Sequence, residues 1–274
     1  MSLYERLAEL ERSGGAAALA TVTRARGSVP RHVGSKMLIF PDGRTEGSVG
    51  GGELEARVIQ EARQAMADGT ARTLQYTLSD PKEGDPGNCG GEVEVFVEPL
   101  RPLPTLILVG GGHVGRAIAH LARWLGFRVV VSDDRAEYAT TSAVPEAEAY
   151  VHCPLEELPA RVPVTDQTCI VLATRNVTVD VAGLPALLET PAAYIGVIGS
   201  RRRWETTAEQ LRQRGVGQDQ IDRVVSPMGL ELNAETPEEI AVSILAQIIM
   251  LRRGGSGASM QHQARRGKRA GAQT

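Results

Sequence analysis

The stretch T-L-I-L-V-G-G-G-H-V-G-R-A-I-A-H-L-A, residues 105–122, decides the fold. Its first five residues form a short apolar run of strand length, and its last nine carry apolar residues at helical spacing. Between them lies G-x-G-x-x-G as Gly110, Gly112 and Gly115. A strand, a glycine turn and a helix in that order form the opening of a nucleotide-binding βαβ unit. Gly110 makes the tight turn, Gly112 lets backbone approach a phosphate, and Gly115 lets helix and strand pack closely. Free amides at the helix N-terminus then hold the anion. Asp133 ends the next apolar run, about 20 residues on, where an acid accepts hydrogen bonds from ribose hydroxyls. His113, inside the turn, either faces a ligand or caps the turn. A glycine turn that serves packing alone is the competing reading of the whole motif.

Downstream the pattern alternates. Strands are expected at 105–109, 128–132, 169–173, 193–198 and 223–225, with helices near 114–125, 180–189 and 201–214. Such alternation predicts a parallel sheet with right-handed crossovers. Thr236-Pro237-Glu238-Glu239 is a capping box with proline at the first helical position, and Ile240, Ile244, Ile248 and Leu251 make the expected buried stripe of that last helix. Gly199, Ser200 and the run Arg201-Arg202-Arg203 follow a strand, at the edge where open α/β sheets bind ligands. Arg201 and its neighbours are thus candidates to clamp a phosphate, or simply a solvated first helical turn. Arg135, beside Asp133 and Asp134, reads as half of a local ion pair.

Upstream, P-L-R-P-L-P at 99–104 makes a stiff connection and a domain boundary. Residues 1–100 read as a smaller mixed α+β domain. It has a helix at 2–12, a strand at 18–23, a hairpin turning at Pro41-Asp42-Gly43, a helix with Leu54, Val58, Ala62 and Ala65 on one face, and strands at 73–78 and 92–98. The fold class is therefore α/β, a Rossmann-like domain at 105–253 preceded by that α+β domain. A second cluster, G-S-V-G-G-G-E-L-E, also joins strand to helix, so the amides of Gly50, Gly51 and Gly52 are a further candidate anion or cofactor site, with Glu53 completing the first helical turn. Arg31, His32 and Lys36, just upstream, either point at the same ligand or are solvated surface, the reading that composition favours. Cys89, in D-P-G-N-C-G-G, has small neighbours that leave its sulfur accessible to act as nucleophile or soft ligand, or to do nothing. Cys153 and Cys169 read as packing.

The 274 residues include 30 Gly but only three Phe, two Trp and five Tyr, so the core must come from Ala, Val, Leu and Ile. No apolar run is long enough to span a membrane, and the N-terminus carries acids early without an apolar signal region. Three scattered cysteines make neither a disulfide framework nor a zinc pair, which points to the cytoplasm. Net charge is −3, and removing the four cations of 254–274 leaves −7 on residues 1–253, which argues against nucleic-acid binding. Residues 254–274, basic and poor in apolar side chains, read as a disordered tail.

Seven segments then occur in one order: G-S-V-P-R-H-V-G-S-K-M, G-S-V-G-G-G-E-L-E, C-G-G-E-V-E-V-F-V-E-P, V-G-G-G-H-V-G-R-A, S-D-D-R-A-E-Y-A, Y-I-G-V-I-G-S-R-R-R and S-P-M-G-L-E-L-N-A-E-T-P-E-E-I-A-V-S-I-L-A. Together they resemble the XdhC/CoxI family of xanthine dehydrogenase accessory proteins, over about residues 14–251. The resemblance implies a protein that binds molybdenum cofactor and protects it while a cysteine desulfurase exchanges its terminal oxo ligand for sulfur. It also implies transfer to a molybdenum hydroxylase apoenzyme. Molybdopterin carries a phosphate, which suits the glycine loops, and Cys89 offers a soft sulfur. One departure stands out. Where the family often reads T-H-D-H, this chain has Thr174-Arg175-Asn176-Val177, with Asp180 kept.

The leading expectation is a non-catalytic cofactor chaperone, with no acid, base or metal constellation evident and a homodimer compatible with it. Two alternatives remain: an NAD(P)-dependent oxidoreductase using Gly110, Gly112, Gly115 and Asp133, and a nucleotide-binding interaction module that recruits partners.

Overall fold

The computed structural model describes residues 2–77, 91–100 and 103–260. The chain divides into two units, Met1–Leu103 and Pro104–Thr274. Cys89, most of the loop around it and tail residues 261–274 lie outside the described residues.

The first unit opens with α1 (Leu3–Ser13), whose N-terminus is closed by a reciprocal capping box between Ser2 and Glu5. Strands β1 (Ala17–Arg26), β2 (Lys36–Ile39) and β3 (Thr45–Gly47) follow, then α2 (Gly52–Asp68), β4 (Arg72–Thr77) and β5 (Glu92–Leu100). The strands form an antiparallel sheet in the order β3-β2-β1-β5-β4. Pro99 and Leu100, read as linker, instead pair with Ala18 and Ala17 at the end of β5. Strand alternation sorts the side chains. Ala18, Ala20 and Val22 meet Leu54, Val58, Ala62 and Ala65 of α2 in one core, while Ala17, Leu38 and Phe40 join Leu10 of α1 in another.

The second unit contains β6 (Thr105–Val109), α3 (His113–Trp124), β7 (Arg128–Asp133), β8 (Ala149–His152), α4 (Leu158–Arg161), β9 (Thr168–Leu172) and α5 (Val177–Leu188). It ends with β10 (Tyr194–Val197), α6 (Arg201–Gln213), α7 (Gln218–Ile221), β11 (Val224–Val225) and α8 (Pro237–Arg253). Its six parallel strands run β11-β10-β9-β6-β7-β8. This is the doubly wound Rossmann order, and its direction reverses between β6 and β9, where such sheets open a ligand crevice. Ile107, Ile170 and Leu172 face Leu184 and Leu187 of α5 and Leu211 of α6. Leu106, Leu108 and Val171 face Ile118 of α3 and Ile244 and Ile248 of α8. Burial on both faces is why these strands read as unbroken apolar runs. Each fully buried Leu or Ile contributes about 1.5–3 kcal/mol relative to exposure, so small aliphatic side chains suffice for this core. Among the described residues, Phe127 is the one aromatic within the largest fully buried side chains.

The second unit also differs from the sequence reading in its details. β8 has no counterpart in it, because A-Y-V-H is a short, partly exposed edge strand without an apolar run. The helix expected at 180–189 begins three residues earlier, where the Asn176 side chain accepts from Val179 N–H and caps it. In α8, Leu251 is exposed, whereas Leu245, which the stripe did not include, is buried.

Candidate functional site

β6 delivers the chain into the glycine turn at the carboxyl edge of the sheet. Gly110 has φ +108 and lies so close to Ala173 that a Cβ would sit 2.5 Å from its carbonyl oxygen. Gly115 is held tighter still, with a Cβ position 1.9 Å from Gly110 O. Gly115 thus lets α3 seat directly on β6, and Gly110 lets the turn pass against the chain leaving β9. Gly112 differs, because a Cβ there would meet nothing within 4 Å. It is the N-cap of α3, and no side chain caps that terminus, so the first-turn N–H groups keep no intrahelical acceptor. The helix therefore presents free donors and the positive end of its dipole.

A cavity of about 190 Å³ opens beside this turn, lined by Gly110, Gly112, Asp134, Arg135, Arg175 and Cys153 among others. Asp133, also in its wall, is 3% exposed. One carboxylate oxygen accepts Gly111 N–H at 3.0 Å and Arg135 Nη2 at 3.1 Å, and the other accepts Arg135 N and Nε, each at 3.0 Å. The Arg135 guanidinium also stacks 3.8 Å from the Tyr138 ring centroid. The ion pair expected within Asp133-Asp134-Arg135 is therefore present. Asp134 lies between two arginines, with Oδ1 3.9 Å from Arg135 Nε. Its two oxygens accept Arg175 Nη1 at 2.6 Å and Nη2 at 2.7 Å, and these bonds hold its carboxyl below the usual carboxylate value. Arg175, at the departure from the family pattern, thus reaches back across β6 from the end of β9. Burial pushes the Cys153 thiol up, which keeps it neutral where it lines the cavity.

The three arginines after β10 separate. Arg203 turns inward, donating to Asp180 Oδ2 at 2.6 Å, to Thr174 Oγ1 at 2.8 Å and to Thr174 O at 3.1 Å. Asp180 is fully buried and also accepts from Thr174 Oγ1. Arg201 and Arg202 are exposed. Arg201 lines a different hollow, with Gly199, Met228 and Asn233. His113 is exposed and lines a groove with Arg116, His120 and Glu238 that shares no lining residue with the glycine-turn cavity. The structure thus groups Gly110, Gly112 and Asp133, gives Gly115 a packing contact, and places His113 and Arg201 elsewhere.

In the first unit, Gly50, Gly51 and Gly52 all have positive φ and shape the entry to α2. Their loop already holds a carboxylate. Glu55 Oε1 accepts from Ser48 Oγ at 2.7 Å, Val49 N at 3.0 Å and Gly50 N at 3.3 Å. Glu53 instead pairs with Arg57 one turn on. The signal for Glu55 is an acid in the first turn after a run of amides, whereas nothing local marks Asp134 with Arg175, which are 41 residues apart. Cys169 is buried, its thiol pushed up to about 11 by desolvation, in keeping with packing. Among the described residues, no cluster of three or more His, Cys, Asp or Glu side chains is placed to hold a metal ion, and no helix is long and apolar enough to cross a membrane.

Comparison with known proteins gives two matches to family models. Residues 106–248 match the XdhC Rossmann domain and residues 10–77 match the XdhC and CoxI family. An uncharacterized protein of Escherichia coli, YqeB, is 34% identical over 264 residues, covering 95% of this chain and 48% of that protein. A probable xanthine dehydrogenase subunit of Bacillus subtilis is 33% identical over 58% of this chain and 46% of its own length. The chain thus spans about half the length of these two relatives. The molybdenum cofactor insertion chaperone PaoD of E. coli is 24% identical, over 88% of this chain and 85% of PaoD. A crystal structure described as a xanthine dehydrogenase from Bacillus halodurans shares the fold, with a TM-score of 0.50 and 24% identity, covering 95% of this chain and 98% of that one.

Proposed function

The chain belongs to the XdhC and CoxI family, and from that membership we propose that it binds molybdenum cofactor and assists its insertion into a xanthine dehydrogenase-type apoenzyme. The observation that carries this reading is the cavity at the switch point of the parallel sheet. It combines an uncapped helix N-terminus with Gly112, where backbone is open to approach. That donor set fits the phosphate of molybdopterin, because unpartnered N–H groups and the helix dipole favour an anion without requiring a metal ligand. Gly110 and Gly112 would hold the phosphate end, with Arg135 and Arg175 beside it. The bound cofactor supplies the molybdenum chemistry, and the chain's own groups bind, orient and shield it.

PaoD carries molybdenum cofactor insertion in its name, and the B. subtilis relative carries xanthine dehydrogenase. Both support a molybdenum hydroxylase as recipient. The same reading makes a cysteine desulfurase the sulfur donor, the cytoplasm the working compartment and a homodimer the assembly to look for. The candidate soft sulfur, Cys89, lies outside the described residues.

The test is to purify the full chain from cells with an active cofactor supply, assay bound pterin and molybdenum, and measure activation of a molybdenum hydroxylase apoenzyme. Bound cofactor that activates the apoenzyme supports the reading. Neither pterin nor molybdenum on the protein overturns it, and a bound nicotinamide nucleotide with substrate turnover replaces it with an oxidoreductase.

A further inference from the structure

Two hydrogen-bonded ion pairs line the glycine-turn cavity, linked by a longer approach of 3.9 Å between Arg135 Nε and Asp134 Oδ1, and they are built differently. Asp133 with Arg135 is local, and its carboxylate is buried and also braces Gly111 N–H. Asp134 with Arg175 is long-range and open, with side chains 32% and 45% exposed, and among the described residues the Arg175 guanidinium donates to no other side chain. Its two ends are set by the sheet. Asp134 follows β7 and Arg175 follows β9, the strands that flank β6 on either side. The pair therefore spans the carboxyl edge around the turn where Gly110 and Gly112 lie, and both partners share a cavity with those glycines.

An exposed pair of this kind adds little to stability, about 0–1 kcal/mol, so the fold does not require it. A guanidinium fork accepts a phosphate in the same bidentate way as a carboxylate. The Asp134 carboxylate thus occupies the face of Arg175 that a phosphate in the cavity would use. Two anions cannot share that fork without repulsion.

We propose that Arg175 is the residue that selects a phosphorylated ligand for this cavity, and that Asp134 is its resident counter-ion, displaced when the ligand's phosphate arrives. The proposal deepens the cofactor reading and rests on the cavity being the site of the cofactor's phosphate. Its consequence is signed. Asp134 competes with the ligand, so removing its charge strengthens phosphate binding. A pair that only tied two loops together would do the reverse, because losing either partner would loosen the site.

The experiment is calorimetric titration of the full chain, prepared free of cofactor, with inorganic pyrophosphate as the probe. Wild type, Asp134→Asn, Arg175→Gln and the double variant are compared at one low salt concentration. We expect Asp134→Asn to bind about fivefold more tightly than wild type, and Arg175→Gln to bind about tenfold more weakly. The double variant should match Arg175→Gln. Binding by Asp134→Asn that is unchanged or weaker overturns the proposal, as does a gain that survives in the double variant, or no pyrophosphate binding by any form. Because the titration needs no molybdenum cofactor, its result stands apart from the pterin assay. A chain that carries cofactor but shows no gain in Asp134→Asn refutes the exchange alone. A chain that shows the gain but never carries cofactor refutes the cofactor reading alone.

Discussion

Gly111 donates its backbone N–H to the Asp133 carboxylate at 3.0 Å, tying the glycine turn after β6 to the end of the neighbouring β7. The carboxylate is 3% exposed and also receives the Arg135 guanidinium. Asp133→Ala would leave a buried N–H without its acceptor and free an arginine that the carboxylate holds. We expect a loss of about 2 kcal/mol, read as a lower urea midpoint with unchanged slope. Asp133→Asn keeps one acceptor and should recover part of it. A carboxylate whose main business were a ribose hydroxyl would leave the midpoint of the ligand-free protein where it was.

The arginine run after β10 makes a second prediction. Arg203 is held by Asp180 and Thr174, and Asp180 has no exposure of its own. Removing the arginine strands a buried negative charge, which costs about 3–5 kcal/mol. Arg203→Ala should therefore unfold at much lower denaturant, whereas Arg201→Ala, at an exposed site, should stay within about 0.5 kcal/mol of wild type. Equal effects at the two positions would remove the distinction drawn between them.

Glu55 predicts a pH dependence. Burial pushes its carboxyl up, but hydrogen bonds from Ser48 Oγ and from the N–H groups of Gly51, Val49 and Gly50 together outweigh that and hold it below its ordinary 4.5. A carboxyl lowered in the folded state binds its proton more readily when unfolded, so its stabilisation is present in full above the ordinary value. It is lost as the pH falls through the lowered folded value. The gap in urea midpoint between wild type and Glu55→Gln should accordingly be widest at neutral pH and narrow below about 4.5. A gap that stays constant through that range would mean that the loop is not held by the ionised carboxylate.

What the sequence made legible follows from how each feature is encoded. β6, β7 and β9 are buried on both faces, so T-L-I-L-V, R-V-V-V-S-D and T-C-I-V-L advertise themselves as apolar runs. β8 lies at the sheet edge with its residues partly exposed, and no run marks it. The glycine turn was legible for a similar reason, since Gly110 and Gly115 sit where backbone approaches backbone and a side chain has no room. Side-chain partners distant in sequence were not legible. Arg203 and Arg201 look alike in sequence, and only the register of α6 against Asp180 turns one inward and leaves the other in water. Asp134 and Arg175 meet because β7 and β9 flank β6, a consequence of topology that spacing along the chain does not carry.

The glycines of G-x-G-x-x-G are not equivalent, and a pair of alanine substitutions separates them. At Gly115 an added Cβ would fall 1.9 Å from Gly110 O, backbone that cannot swing away as a side chain can. Gly115→Ala must lift α3 off β6 or distort the turn, and a cost of about 3 kcal/mol or more is expected. At Gly112 the added Cβ meets nothing within 4 Å, and the residue has φ −73, which any amino acid adopts. Gly112→Ala should therefore fold with a melting temperature close to that of wild type. Its methyl group would stand where the backbone is otherwise open to the cavity, so pyrophosphate binding should weaken while stability holds. Thermal melts of both variants, with pyrophosphate titration of Gly112→Ala, check the contrast. Unchanged affinity in a well-folded Gly112→Ala protein would mean that the open face of this glycine is not where the anion sits.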